Sequence, residues 1–270
     1  VTTKVMRPRE WAHPSTPVRR EVLTARPEDE NGAPPVLFVP GYGHGAWAYA
    51  EHWLEHAAAR GFRSYAMSLR GHGGSATAEG ARLADYVHDV TQVAAGLPRR
   101  AVLVGHGAGA LVVAQALARY PARAGVLVAP IFGGAGVAAG LLRHNPAGTL
   151  PGLFGGAVRL RRAQLFSREP GRQLPNAQAQ AYVSRLDRVP GGAQRQLLRR
   201  QEPEAPVGDP PVLVVGSPDD RVVSRAALSK VARRYGGSPL LFPGMGHDLM
   251  LDARWREPID AILDWLEKAP

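Results

Sequence analysis

Three short segments hold residues that could do acid–base chemistry. Gly105-His106-Gly107-Ala108-Gly109 joins the apolar run 101–104 to a helical run that begins Ala110-Leu111-Val112-Val113. A strand that turns sharply into a helix lifts its central residue above the sheet on a strained backbone, the place where acyl-transfer enzymes put a nucleophile. The central residue here is Gly107, so no acyl-enzyme can form at that position, and none of Ser68, Ser75, Ser217 or Ser224 occupies such a turn. Downstream, the apolar run 212–215 leads into Gly216-Ser217-Pro218-Asp219-Asp220, and Gly244-Met245-Gly246-His247-Asp248 follows Phe242-Pro243. A histidine beside a carboxylate makes a general base, because imidazole titrates near neutrality and the carboxylate stabilises its charged form.

Residues so far apart in sequence meet only if a sheet brings its strand ends together. Apolar, β-branched runs bounded by Pro and Gly alternate with helical patterns, which predicts an α/β fold: a mostly parallel sheet covered by helices on both faces. The strands are predicted at 36–39, 64–67, 101–104, 125–128, 212–215 and 239–242, with 18–23 as an antiparallel leading strand. Helices are predicted at 47–60, 82–97, 108–119, 224–235 and 255–268, the second with an apolar stripe of Leu83, Val87, Val90 and Ala94. Between 131 and 206 the pattern breaks into Gly and Pro clusters with short amphipathic pieces at 177–186 and 193–200. That divides the chain into a first core part, 1–130, a cap insertion, 131–206, and a second core part, 207–270. The sequence shows no internal repeats.

The order of elbow, acid and histidine resembles that of the α/β-hydrolase superfamily, in its capped esterase, lactonase, haloperoxidase and hydroxynitrile-lyase-like branch. Three more segments carry the resemblance. Pro40-Gly41-Tyr42-Gly43-His44-Gly45-Ala46-Trp47 is similar to the H-G-x oxyanion loop, Arg70-Gly71-His72-Gly73-Gly74-Ser75 to the R-G-x-G-x-S turn, and Gly246-His247-Asp248 to the histidine loop. The resemblance implies His247 as general base and the backbone N–H groups of Tyr42 and Ala108 as the oxyanion hole. It implies Asp220 rather than Asp219 as the acid, because Asp220 stands at the family's spacing before Val223-Ser224. Pro40 departs from the family's histidine, which leaves a backbone-built hole intact. Gly107 departs from its serine, which removes the nucleophile.

Three readings of Gly107 remain open. His247 and Asp220 act on water or on the substrate while the oxyanion hole stabilises the developing charge, giving lyase, cyclase, isomerase or direct-water hydrolase chemistry. Alternatively, the protein is an inert pseudo-hydrolase that binds a small apolar ligand. The third reading is a serine esterase or lactonase carrying a Ser→Gly change, since glycine takes a φ > 0 elbow without steric cost. The first is the expectation: a cofactor-independent enzyme for a small, largely apolar carbonyl compound, with Phe166, Tyr182 and His106 placed at the substrate pocket.

Composition bounds the rest. The 270 residues, 45% of them hydrophobic, can bury a full core. With no cysteine, disulfides, thiolate nucleophiles and thiolate-bound metals are excluded, which fits a reducing, cytoplasmic setting. Val1 to Glu10 holds no signal-like apolar run. Residues 124–142 are free of charge but broken by Pro130 and five glycines, so they read as a buried strand and a loop and not a membrane span. Of the net charge of +10, a net of +7 falls between 131 and 205. No aromatic interleaving accompanies it, so it reads as a solvated face and not a nucleic-acid surface. His52 and His56 sit in an H-x-x-E-H pattern without a third ligand, and no metal is expected. His44, His72 and His88 read as turn or helix-surface residues.

Overall fold

The computed structural model describes residues 15–29, 32–77, 79–153, 158, 160–187, 196, 197 and 199–268. Its frame is a seven-stranded sheet. In chain order the strands are β1 (Val22–Ala25), β2 (Val36–Val39), β3 (Ser64–Met67), β4 (Val102–His106), β5 (Ala124–Val128), β6 (Val212–Gly216) and β7 (Leu240–Leu241). They lie in the order β1-β3-β2-β4-β5-β6-β7. Only β1 runs antiparallel, with Val22 opposite Met67, as expected of the leading strand, but it spans Val22–Ala25 and not 18–23. Every residue of β2, β4 and β5 is buried, which is why these strands read as unbroken apolar runs and not as alternating ones.

The helices of the core are α1 (Trp47–Ala50), α2 (Trp53–Ala59), α3 (Leu83–Ala95), α4 (Ala108–Leu117), α9 (Arg225–Arg234) and α10 (Arg256–Lys268). Between β5 and β6 lie α5 (Ala135–His144), α6 (Pro146–Leu153), α7 (Arg162–Leu165) and α8 (Asn176–Ser184). Two apolar clusters form, one on each face of the sheet. The first gathers Phe38, Tyr49, Trp53, Val104, Ile259 and Leu263, and the second Leu37, Leu103, Val87, Leu111 and Leu228. The predicted stripe of α3 is buried against the second. Among the described residues, no helix is long and apolar enough to cross a membrane.

Two expectations are corrected. The single helix expected at 47–60 is broken at His52, whose backbone leaves the helical region at φ −147°. The cause is tertiary: the His52 ring stacks on Trp255 at 4.6 Å, and Trp53 Nε1 donates to the Trp255 carbonyl at 3.0 Å. Packing against the segment before α10 overrides local propensity. The loop expected up to residue 142 contains α5, because the alanines and leucines around Gly136 and Gly140 outweigh the cost of two glycines. Half of the expected helical piece at 193–200 lies outside the described residues.

Candidate active site

Gly107 is the hinge between β4 and α4, with φ 55° and ψ −120°. A side chain at that φ is strained, and glycine is not. Gly107 N donates to Val128 O at 2.9 Å, while Gly107 O accepts from Ala110 N at 3.2 Å and from Ile131 N at 2.9 Å. Ile131 gets there because Ala129 turns the chain through φ 44° at the end of β5. The loop 40–45 rests directly on the elbow. A Cβ added at Gly109 would stand 2.2 Å from Pro40 O, so no other residue permits this approach. The first amides of a helix have no partner within it. Among the described residues, no backbone carbonyl accepts the amide of Ala108 or of Tyr42.

His247 and Asp220 arrive from the loops after β7 and β6. His247 Nδ1 lies 2.7 Å from Asp220 Oδ2, and Asp220 Oδ1 accepts from Val222 N at 2.7 Å and Val223 N at 3.2 Å. Asp219 faces elsewhere and accepts from Gly244 N at 2.7 Å. A carboxylate facing Nδ1 fixes the proton there and leaves the lone pair on Nε2. That atom stands 3.3 Å from the point a Cβ would occupy at Gly107. Burial by itself lowers the basicity of His247. The charge and hydrogen bond of Asp220, with the charge of Asp248 beyond, outweigh it and raise the imidazole above its ordinary value. The histidine loop is clamped by the segment at α7, where Leu165 O accepts from Asp248 N at 2.8 Å.

Behind His247 lies a second buried network that the sequence reading missed. His44 Nε2 meets Asp248 Oδ2 at 2.9 Å. His106 Nε2 lies 3.1 Å from His247 O and 3.5 Å from Asp248 Oδ1. Since a carbonyl only accepts, His106 Nε2 carries the proton and donates it. Burial, then the neighbouring His247, holds the His106 imidazole down at about 3, so it stays neutral. Burial works against the charge of Asp248, but His44 and then His106 hold its carboxyl below the usual range. The ligand atoms of His44, His106 and Asp248 lie within 4.8 Å of one another. His44 Nε2 and His106 Nε2 are engaged with Asp248 and the His247 carbonyl, while among the described residues His44 Nδ1, His106 Nδ1 and Asp248 Oδ1 have no hydrogen-bond partner. The one available signal was Asp248 itself, adjacent to the histidine.

His106, assigned to the substrate pocket from the sequence, is thus 1% exposed and held among His44, His247 and Asp248. Phe166 and Tyr182 are buried at the seam of α7, α8 and α1, with ring centroids 6.1 Å apart and Tyr182 at 6.2 Å from Trp47. Phe166 also borders a surface cavity of about 580 Å³ with Leu160, Leu174 and Val183. His56 of the H-x-x-E-H pattern meets Asp260 at 2.6 Å, and His52 is stacked on Trp255. Both imidazoles therefore fasten α2 to the C-terminal helix region.

The alpha/beta hydrolase family profile matches residues 36–263. An esterase from Thermogutta terrifontis is similar at 19% identity, covering 93% of this chain and 94% of its own, with a TM-score of 0.70. A putative non-heme bromoperoxidase, BpoC, from Mycobacterium tuberculosis shares 22% identity over 95% of this chain and 97% of its own, with a TM-score of 0.69. A soluble variant of monoglyceride lipase from Saccharomyces cerevisiae shares 13% identity over 94% and 92%, with a TM-score of 0.72. No curated protein sequence matches the chain.

Proposed function

The chain belongs to the alpha/beta hydrolase family, and within it we propose an enzyme that uses a general base and an oxyanion hole with no nucleophile between them. One observation carries the reading: the lone pair of His247 Nε2 faces the empty side-chain position of Gly107 from 3.3 Å. A small carbonyl compound places its oxygen between the amides of Tyr42 and Ala108. His247 takes a proton from the substrate or from a water seated above Gly107. The resulting enolate or tetrahedral oxyanion is held by the two amides, and the imidazolium by Asp220, until the proton is returned to the product.

The surroundings suit an apolar substrate. Ile131 Cδ1 lies 3.8 Å from the same position above Gly107. The segment 131–206 serves as the cap, and its α7 end holds the histidine loop. Esterases and lipases among the structural neighbours support chemistry centred on a carbonyl. A serine-directed organophosphorus probe tests the missing nucleophile. By intact mass, the protein gains no adduct, whereas Gly107→Ser gains one. An adduct on the unaltered protein would mean that another hydroxyl does the chemistry.

A further inference from the structure

The loop that carries Tyr42 also buries polar atoms that the base and oxyanion hole do not use. Tyr42, His72 and Tyr86 form a triangle of rings, with centroids 5.3 Å apart for the two tyrosines, 6.2 Å for Tyr42 and His72, and 6.1 Å for His72 and Tyr86. Among the described residues, Tyr42 Oη, His72 Nε2 and Tyr86 Oη are all buried and none has a hydrogen-bond partner. Folded interiors leave few such atoms unpaired, and three around one triangle ask for an explanation. The charges nearby are already engaged. Arg70 donates twice to Asp89, each time at 2.6 Å, and Asp85 accepts from Ser15 Oγ at 2.6 Å and Arg82 N at 2.8 Å.

The protonation pattern follows from the contacts. His72 Nδ1 lies 3.1 Å from the Arg70 carbonyl, which only accepts, so the proton is on Nδ1 and the lone pair on Nε2. Burial keeps His72 neutral and both phenols protonated. The triangle therefore offers one acceptor and two hydroxyls and no net charge. It also adjoins the site. Tyr42 is only partly buried, while His72 and Tyr86 are 1% and 0% exposed. Tyr42 packs against the same apolar cluster as Ile131, the residue above Gly107.

We propose that Tyr42, His72 and Tyr86 form a substrate subsite for an uncharged hydroxyl group. This rests on the carbonyl site proposed above and narrows its substrate to hydroxy-substituted carbonyl compounds. The substrate hydroxyl donates to His72 Nε2 and accepts from a tyrosine hydroxyl, while the carbonyl lies at the amides of Tyr42 and Ala108. An alkyl group in the same place leaves all three protein atoms unpaired. Among the described residues, the one cation the triangle's neighbours supply, Arg70, is already held by Asp89, so a carboxylate gains no ion pair from it.

Titration calorimetry tests this with methyl ketones from butanone to octanone and with counterparts whose terminal methyl is replaced by hydroxyl. At one chain length the hydroxy ketone binds about tenfold tighter than its methyl partner, the effect of roughly one well-made buried hydrogen bond. Tyr42→Phe combined with Tyr86→Phe reduces that preference to less than about twofold, and its melting temperature does not fall, because the deleted hydroxyls have no partners. Plain ketones that bind with no hydroxyl preference overturn the subsite and leave the carbonyl site standing. A preference that survives in the double variant, or a double variant that loses stability, also overturns it. If neither series binds, both readings fail.

Discussion

At the scale of single residues, Gly107 and His247 explain each other. The elbow at φ 55° is comfortable only for glycine, and the imidazole reaches the space where a side chain would begin. Gly107→Ser should therefore lose on the order of 1 to 3 kcal/mol of stability through backbone strain, measured by urea unfolding. An unchanged midpoint would show that the elbow stores no strain. His247 sets the pH dependence. Its raised imidazole is free base only above a pKa higher than the ordinary histidine value of about 6.5, so kcat/KM should fall on the acid side through a midpoint above that value. In Asp220→Asn the midpoint should drop, since the main influence that raises it is gone. The meeting of Gly107, His247 and Asp220 was legible because each sits in a short motif at a strand end. The network of His44, His106 and Asp248 was not, because its hydrogen bonds join positions up to 204 residues apart and no local pattern marks them.

Among the elements, the loops after the strands are held by contacts that come from the insertion between β5 and β6. Asp187, just beyond α8, accepts from Gly73 N at 2.7 Å through its side chain, and its own amide donates to Gly43 O at 2.7 Å. Beside it Arg185 pairs with Glu51 and lies 4.1 Å over the Trp47 ring. One short segment thus ties the turn at 70–75 and the loop at 40–47 together. Asp187→Ala should cost about 1 kcal/mol and speed amide hydrogen exchange at Gly73. Unaltered exchange there would mean that the turn holds itself. Strand positions were readable from the sequence because buried parallel strands are continuous apolar runs. The break at His52 and the helix at Ala135–His144 were not, since the first depends on Trp255 and the second on alanines outweighing glycines that read as a loop.

For the whole molecule, the buried histidines couple stability to pH in opposite directions. His106 stays neutral in the folded state down to about 3, while its unfolded form takes a proton near 6.5, so the stability it contributes is lost as pH falls through that window. Asp248 acts in the same sense, its stabilisation present above its unfolded pKa and lost as pH falls through its lowered folded value. His247 acts oppositely: its contribution is full below its unfolded pKa and is lost as pH rises through the raised folded value. The melting temperature should decline between pH 6.5 and 4, and less steeply in His106→Asn. Equal slopes would remove His106 from that account. The proposed chemistry itself is tested most directly by proton NMR in D2O, following small ketones, hydroxy ketones, esters and lactones with the protein and with His247→Ala. The account predicts α-deuteration or ester cleavage for at least one of them, falling about 100-fold or more in the variant. Equal rates in the two proteins, or no reaction of any compound with either, would contradict it.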